Sequence, residues 1–161
     1  MIFVSVGTQK FQFNRLLMLL DELVECGCIE DKIFAQIGRS DYKPKNYEYV
    51  DFLDKKEFDT HMCQCELLIT HSGVATIVAA LKSEKPIIVI PRLAKYGEHV
   101  DDHQVEIAST FANQNYILQY QDGDDLCPMI EQARKHQFAR YVSNRENVVQ
   151  LLRNYIYENM N

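Results

Sequence analysis

Side chains able to do chemistry concentrate in four short segments: Gly7-Thr8-Gln9, Gly38-Arg39-Ser40, Thr70-His71-Ser72-Gly73 and the stretch from Pro91 to Gln104. In the third, Ser72 reads as a helix N-cap, and Gly73 lets a bulky anion approach the amides of the first turn. The unpaired N–H groups there, with the positive end of the helix dipole, make a phosphate site. An ordinary serine cap gives the same pattern. The fourth segment crowds His99, Asp101, Asp102, His103 and Gln104 into two turns. They open an amphipathic helix marked by Val105, Ile107, Ala108 and Phe111. So many polar groups in one place suit a hydroxyl-rich ligand, although acids are also favoured in any solvated first turn.

Other chemistries fit less well. His99 and His103 are four apart, a spacing that binds zinc when both lie on one helix. No third ligand is evident, and no metal site is expected. Ser72 lacks the flanking glycines of a nucleophile elbow, since Thr70 and Val74 occupy those positions. Neither G-x-G-x-x-G after the first strand nor a Walker loop is present. Cys26, Cys28, Cys63, Cys65 and Cys127 have the wrong spacing for zinc pairs and an odd count for a disulfide framework. They read as reduced thiols packed in or near the core.

The elements that must position these segments follow from periodicity. Apolar runs at 2–6, 32–37, 47–50, 67–70, 87–90 and 116–119 read as short strands. Helical patterns lie at about 12–26, 55–64, 74–82, 101–113, 123–136 and 144–157. Alternation of this kind implies right-handed crossovers, hence an α/β fold: a Rossmann-like parallel sheet with helices on both faces. The 161 residues fit one domain. Ligands in such sheets bind at the carboxyl ends of the strands, where all four segments converge.

Composition narrows the partners. A formal net charge of −6 disfavours a broad grip on nucleic acid. The N-terminus has no basic region ahead of its apolar run, and no segment approaches the ~20 apolar residues of a membrane span. A cytoplasmic chain is expected, reaching a membrane only peripherally, through a partner.

Taken together, four motifs resemble the family 28 glycosyltransferases: GT-x4-F at Gly7, Q-x-G-R at Gln36, THSG-x2-TI-x-x-AL-x3-KP-x-IVIPR at Thr70 and HVDDHQ-x-EIA at His99. The likeness covers roughly residues 1–120. It is greatest to the small stand-alone C-terminal halves of exopolysaccharide synthesis, and extends to the catalytic subunit of the dolichol-pathway N-acetylglucosaminyltransferase. It implies half of a GT-B enzyme, binding a UDP-sugar without a metal or other cofactor.

By matching position, Gly7 and Thr8 would face the partner across the cleft, and Gly38 and Arg39 would line the diphosphate side. Phe52 would lie near the uracil, and Ser72 and Gly73, beside His71, would hold phosphates. Arg92 would help the leaving diphosphate. Asp102, His103 and Gln104 would face the donor sugar, with His99 nearby.

The reaction implied is inverting transfer of a hexose to a lipid-linked saccharide in polysaccharide biosynthesis. The acceptor site and membrane anchor would belong to a second subunit, and no general base is assigned here. A helix at 144–157 is a candidate docking element. Two departures from the family pattern stand out: Ala79 replaces a ribose-binding Glu, and Glu84 replaces a Gly. They keep open an alternative, a non-catalytic regulatory subunit that enhances a partner transferase.

Overall fold

A computed structural model describes residues 1–142. The helix expected at 144–157 lies outside the described residues. Six strands are present among those described: β1 (Ile2–Ser5), β2 (Ile33–Gln36), β3 (Glu48–Val50), β4 (Leu67–Thr70), β5 (Ile87–Val89) and β6 (Leu118–Gln119). Five α-helices alternate with them: α1 (Asn14–Glu25), α2 (Lys55–Gln64), α3 (Val74–Lys82), α4 (His103–Asn113) and α5 (Leu126–Lys135). A short 3-10 turn at Ala94–Tyr96 interrupts the loop after β5.

All pairings are parallel, and the strand order is β3-β2-β1-β4-β5-β6. Strand order therefore reverses between β1 and β4, the switch point at which open α/β sheets place ligands. The near-continuous apolar strands are explained by cover on both faces. Ile2 and Val4 pack with Leu16, Leu17 and Leu20 of α1 and Ile130 of α5. Phe3, between them in sequence, points the other way, toward Met62 of α2, Ile77 and Ala80 of α3 and Ala108 of α4.

Local signals set the helix boundaries. Asp54 and Glu57 form a reciprocal capping box that starts α2. In α1 the buried Asp21 accepts hydrogen bonds from the Tyr42 hydroxyl (2.6 Å) and from the amides of Lys45 and Asn46, which ties the polar loop after β2 to the sheet's flank. All five cysteines are free thiols, but only Cys65 is buried and Cys127 half-buried; Cys26, Cys28 and Cys63 are exposed. The expectation that the thiols are core groups is thus corrected for three of them, which occupy helix ends and turns facing solvent.

Candidate functional site

Ser5 of β1 and Thr70 of β4 are register partners, so the chain leaves both strands at the same level. That alignment sets Gly7 beside His71, Ser72 and Gly73. Gly7 takes φ +79° and Gly38, after β2, takes φ +58°, left-handed turns that favour glycine. A Cβ on Gly38 would lie 2.6 Å from the Gly7 carbonyl oxygen, so the first two glycine turns touch. The His71 ring occupies a slot between the other pair: a Cβ on Gly7 or on Gly73 would come within 2.5 Å of it.

His71 is buried, with Nδ1 3.4 Å from the Ser5 carbonyl and 3.3 Å from Thr70 Oγ1. Because the Thr70 hydroxyl donates its hydrogen to Ser5 O (2.7 Å), a proton on Nδ1 suits both contacts, and Nε2 is left as an acceptor. Burial, reinforced by the positive charge of Arg92, pushes the His71 pKa down to about 4. The ring is neutral at physiological pH.

Gly73, not Ser72, is the N-cap of α3, and no side chain caps this helix. The difference from the sequence reading has a local cause: the Ser72 amide donates to Gln104 Oε1 (3.3 Å), which holds Ser72 outside the helix. Its hydroxyl is shielded from solvent and has no hydrogen-bond partner among the described residues. The first intrahelical bond of α3 runs from Ile77 N to Gly73 O. The amides of Val74, Ala75 and Thr76 therefore point out of the helix end without intrahelical acceptors.

Two of the residues expected at the ligand site are buried in the floor of this region. Gln104, in the first turn of α4, is buried, and its Oε1 also accepts from the Arg92 amide (3.1 Å). One side-chain oxygen thus joins the ends of β4 and β5. Arg92 is 1% exposed, and its Nη2 donates to Val6 O (2.6 Å), just before Gly7. Arg15 and Glu98 escaped the sequence reading. Glu98, fully buried, takes a bidentate hydrogen bond from Arg15 (2.9 Å to each oxygen) and another from the Leu93 amide. Their separation of 83 residues leaves no local signal of the pair.

The other expected residues lie on the rim. The exposed Arg39 guanidinium stands 5.2 Å from the Phe52 ring, so the turn after β2 and the segment after β3 meet. Thr8 is exposed. His99 lies in the loop before α4 and packs on Phe11, while His103 starts the helix; they do not share it as a zinc pair would. Each faces its own carboxylate, Asp101 at 3.0 Å and Glu106 at 3.2 Å. Asp102 accepts from the Ala94 amide (2.8 Å) and borders a crevice of about 520 Å³ that also meets Leu93, Lys95, Ser109 and Asp122.

Uncapped helix amides, a shielded hydroxyl and two left-handed glycine turns come together at this edge of the sheet, and comparison with known proteins gives the chain a family. The sequence matches the glycosyltransferase family 28 C-terminal domain over residues 1–154. The chain belongs to that family. It is 30% identical over 79 residues to UDP-N-acetylglucosamine transferase subunit ALG13 of Candida albicans, a match covering 49% of this chain and 26% of that protein. With the mouse subunit of the same name it shares 24% identity over 128 residues, 72% of this chain and 10% of that one. The matches thus span about a quarter of the first relative and a tenth of the second.

Among solved structures, the ALG13 solution structure has a TM-score of 0.58 at 18% identity and covers 94% of both chains. MurG of Acinetobacter baumannii has a TM-score of 0.58 at 17% identity, over 94% of this chain and 49% of that one. These likenesses establish the fold, a Rossmann-like half of the GT-B type.

Proposed function

We propose that this family 28 domain is the donor-binding subunit of a UDP-sugar transferase that works with a membrane-associated partner holding a lipid-linked acceptor. The observation that carries the reading is the uncapped N-terminus of α3 beside the shielded, unpartnered Ser72 hydroxyl. A diphosphate there would accept from the outward amides of Val74, Ala75 and Thr76 and from Ser72 Oγ. The glycines at 7, 38 and 73 let phosphate oxygens approach the backbone, with exposed Arg39 as a mobile countercharge and Phe52 as a flat surface for the base. His99, Asp102 and His103 would face the sugar.

Catalysis in this arrangement rests on stabilising the departing UDP by fixed dipoles. His71 is an unsuitable base, since burial lowers its pKa to about 4, which makes it a weak proton acceptor, and the ring is wedged between two glycines. Any base would come from the rim or from the partner.

The names of the ALG13 relatives favour UDP-N-acetylglucosamine over a plain hexose donor. They are also named as transferase subunits, which favours a transferase role over the regulatory alternative. No helix among the described residues is long and apolar enough to cross a membrane, so peripheral attachment through a partner is the reading we adopt.

Calorimetric titration with UDP, UDP-N-acetylglucosamine, UDP-glucose and UDP-galactose tests this, alongside Ser72→Ala. Removing an unpartnered hydroxyl should leave thermal stability unchanged and weaken UDP binding by about 1 kcal/mol, the worth of one hydrogen bond. A Ser72→Ala chain that binds UDP as well as the wild type would displace the diphosphate from this corner.

A further inference from the structure

Arg92 is the largest fully buried side chain of the described residues. Such burial requires partners for a guanidinium, because an ion removed from water otherwise loses several kcal/mol of hydration. Only Nη2 is engaged by an acceptor, the Val6 carbonyl at 2.6 Å. Nε and Nη1 are shielded and without partners among the described residues. The one buried carboxylate in the neighbourhood, Glu98, has both oxygens committed to Arg15 and one also to the Leu93 amide. What remains around Arg92 is the face of Phe13, 5.4 Å from its guanidinium carbon, and the neutral ring of His71. Burial holds its own pKa down at about 10, still well above neutrality, so the side chain is a cation.

A cation with two idle donors, anchored only to the carbonyl just before Gly7, is poorly compensated within the fold. An anion seated above it supplies the missing charge. Resting on the donor-site reading given above, we propose that Arg92 is a positioning residue that serves the bound diphosphate from below. It holds the Val6–Gly7 corner through Nη2 and supplies positive potential to the phosphates without touching them. The potential acts through a poorly solvated interior, where one charge is felt far more strongly than across water. It needs no movement of the side chain on ligand arrival, as preorganised stabilisation requires.

The test uses the whole chain and three probes: UDP, uridine and the His71 ring itself. Arg92→Met keeps the packing volume while removing the charge, a replacement that buried ionic groups often tolerate. Arg92→Lys keeps the charge and loses the fork. The wild type should bind UDP. Arg92→Met should weaken UDP by about tenfold or more, leave uridine within about twofold, and raise the His71 pKa as read by NMR titration. His99 is the other group with an electrostatic influence on that ring, so the titration is repeated in His99→Gln. Arg92→Lys should recover most of the UDP loss.

Equal weakening of UDP and uridine by Arg92→Met, with no rescue by lysine, would show a merely structural residue and overturn the proposal. So would unchanged UDP affinity or an unmoved His71 pKa in a folded Arg92→Met chain. Failure of the wild type to bind UDP would instead remove the donor-site reading, and this proposal with it.

Discussion

The His71 ring lies so close to Gly73 that a Cβ on the glycine would stand 2.5 Å from His71 Nε2. Gly73 has an ordinary φ of −72°, so backbone strain plays no part in its identity; the space is what requires glycine. Gly73→Ala must push the ring out of its slot or displace the start of α3. The expected cost is about 1–3 kcal/mol of stability, as for other overpacked interiors. Urea denaturation gives the value directly, and a loss below a few tenths would mean the slot is softer than its geometry implies.

The same ring makes stability depend on pH. Its pKa is about 4 in the folded chain, against about 6.5 for an unperturbed histidine. The unfolded state therefore binds the proton first, and stability rises with pH across this interval. On the order of 3 kcal/mol should be fully present above about pH 6.5 and lost progressively as pH falls toward 4. Asp21 acts at lower pH: burial works against its ionisation, but hydrogen bonds from Tyr42, Lys45 and Asn46 hold its pKa below the usual carboxylate value. A His71→Gln chain should show a flatter urea midpoint between pH 7 and 4.5 than the wild type. Parallel profiles would refute the assignment.

Gln104 Oε1 is the shared acceptor for the amides of Ser72 and Arg92. Truncation to alanine strands two buried donors, each worth about 1–3 kcal/mol when left unsatisfied. Gln104→Ala should therefore lower the denaturation midpoint and also weaken UDP, because Ser72 is no longer held outside α3. Gln104→Glu retains an acceptor oxygen and should preserve more of both. If the alanine variant lost UDP binding at full stability, Gln104 would be a ligand contact and not a staple.

Asp21 holds the later part of the loop that opens with Gly38 and Arg39. Asp21→Ala removes the acceptor for the Lys45 and Asn46 amides. Hydrogen exchange at those two amides should accelerate at least tenfold, from the loss of more than about 1.4 kcal/mol of local protection.

Ala79 offers a gain-of-function test. It is half-buried on α3, at the position where the sequence resemblance implies a ribose-binding Glu. Ala79→Glu should tighten UDP by about 1.5–3 kcal/mol if the ribose passes along this helix, the range for hydrogen bonds to a charged group. Unchanged or weaker affinity in the calorimeter would place the ribose elsewhere.

Much of this molecule was legible in one dimension. Period-2 and continuous apolar runs located β1, β2, β4 and β5 within a residue or two, because a strand covered on both faces must be apolar throughout. The loops at Gly7, Gly38 and Gly73 were legible as a candidate site because a parallel sheet sends every such loop to one edge. Family motifs then named the corner.

Burial was not legible. Arg92 and Gln104 stand in polar loops beside a ligand edge, and residues of that type in that setting read as contacts. Only the packed structure decided that both point inward, one to Val6 O and the other to two backbone amides. Glu98 and Arg15 were invisible for the same reason, since nothing local links partners 83 residues apart. Local sequence carries periodicity and turn chemistry, which depend on neighbours along the chain. Whether a polar side chain meets solvent or a backbone carbonyl depends on what the rest of the fold brings above it, and that is settled only in three dimensions.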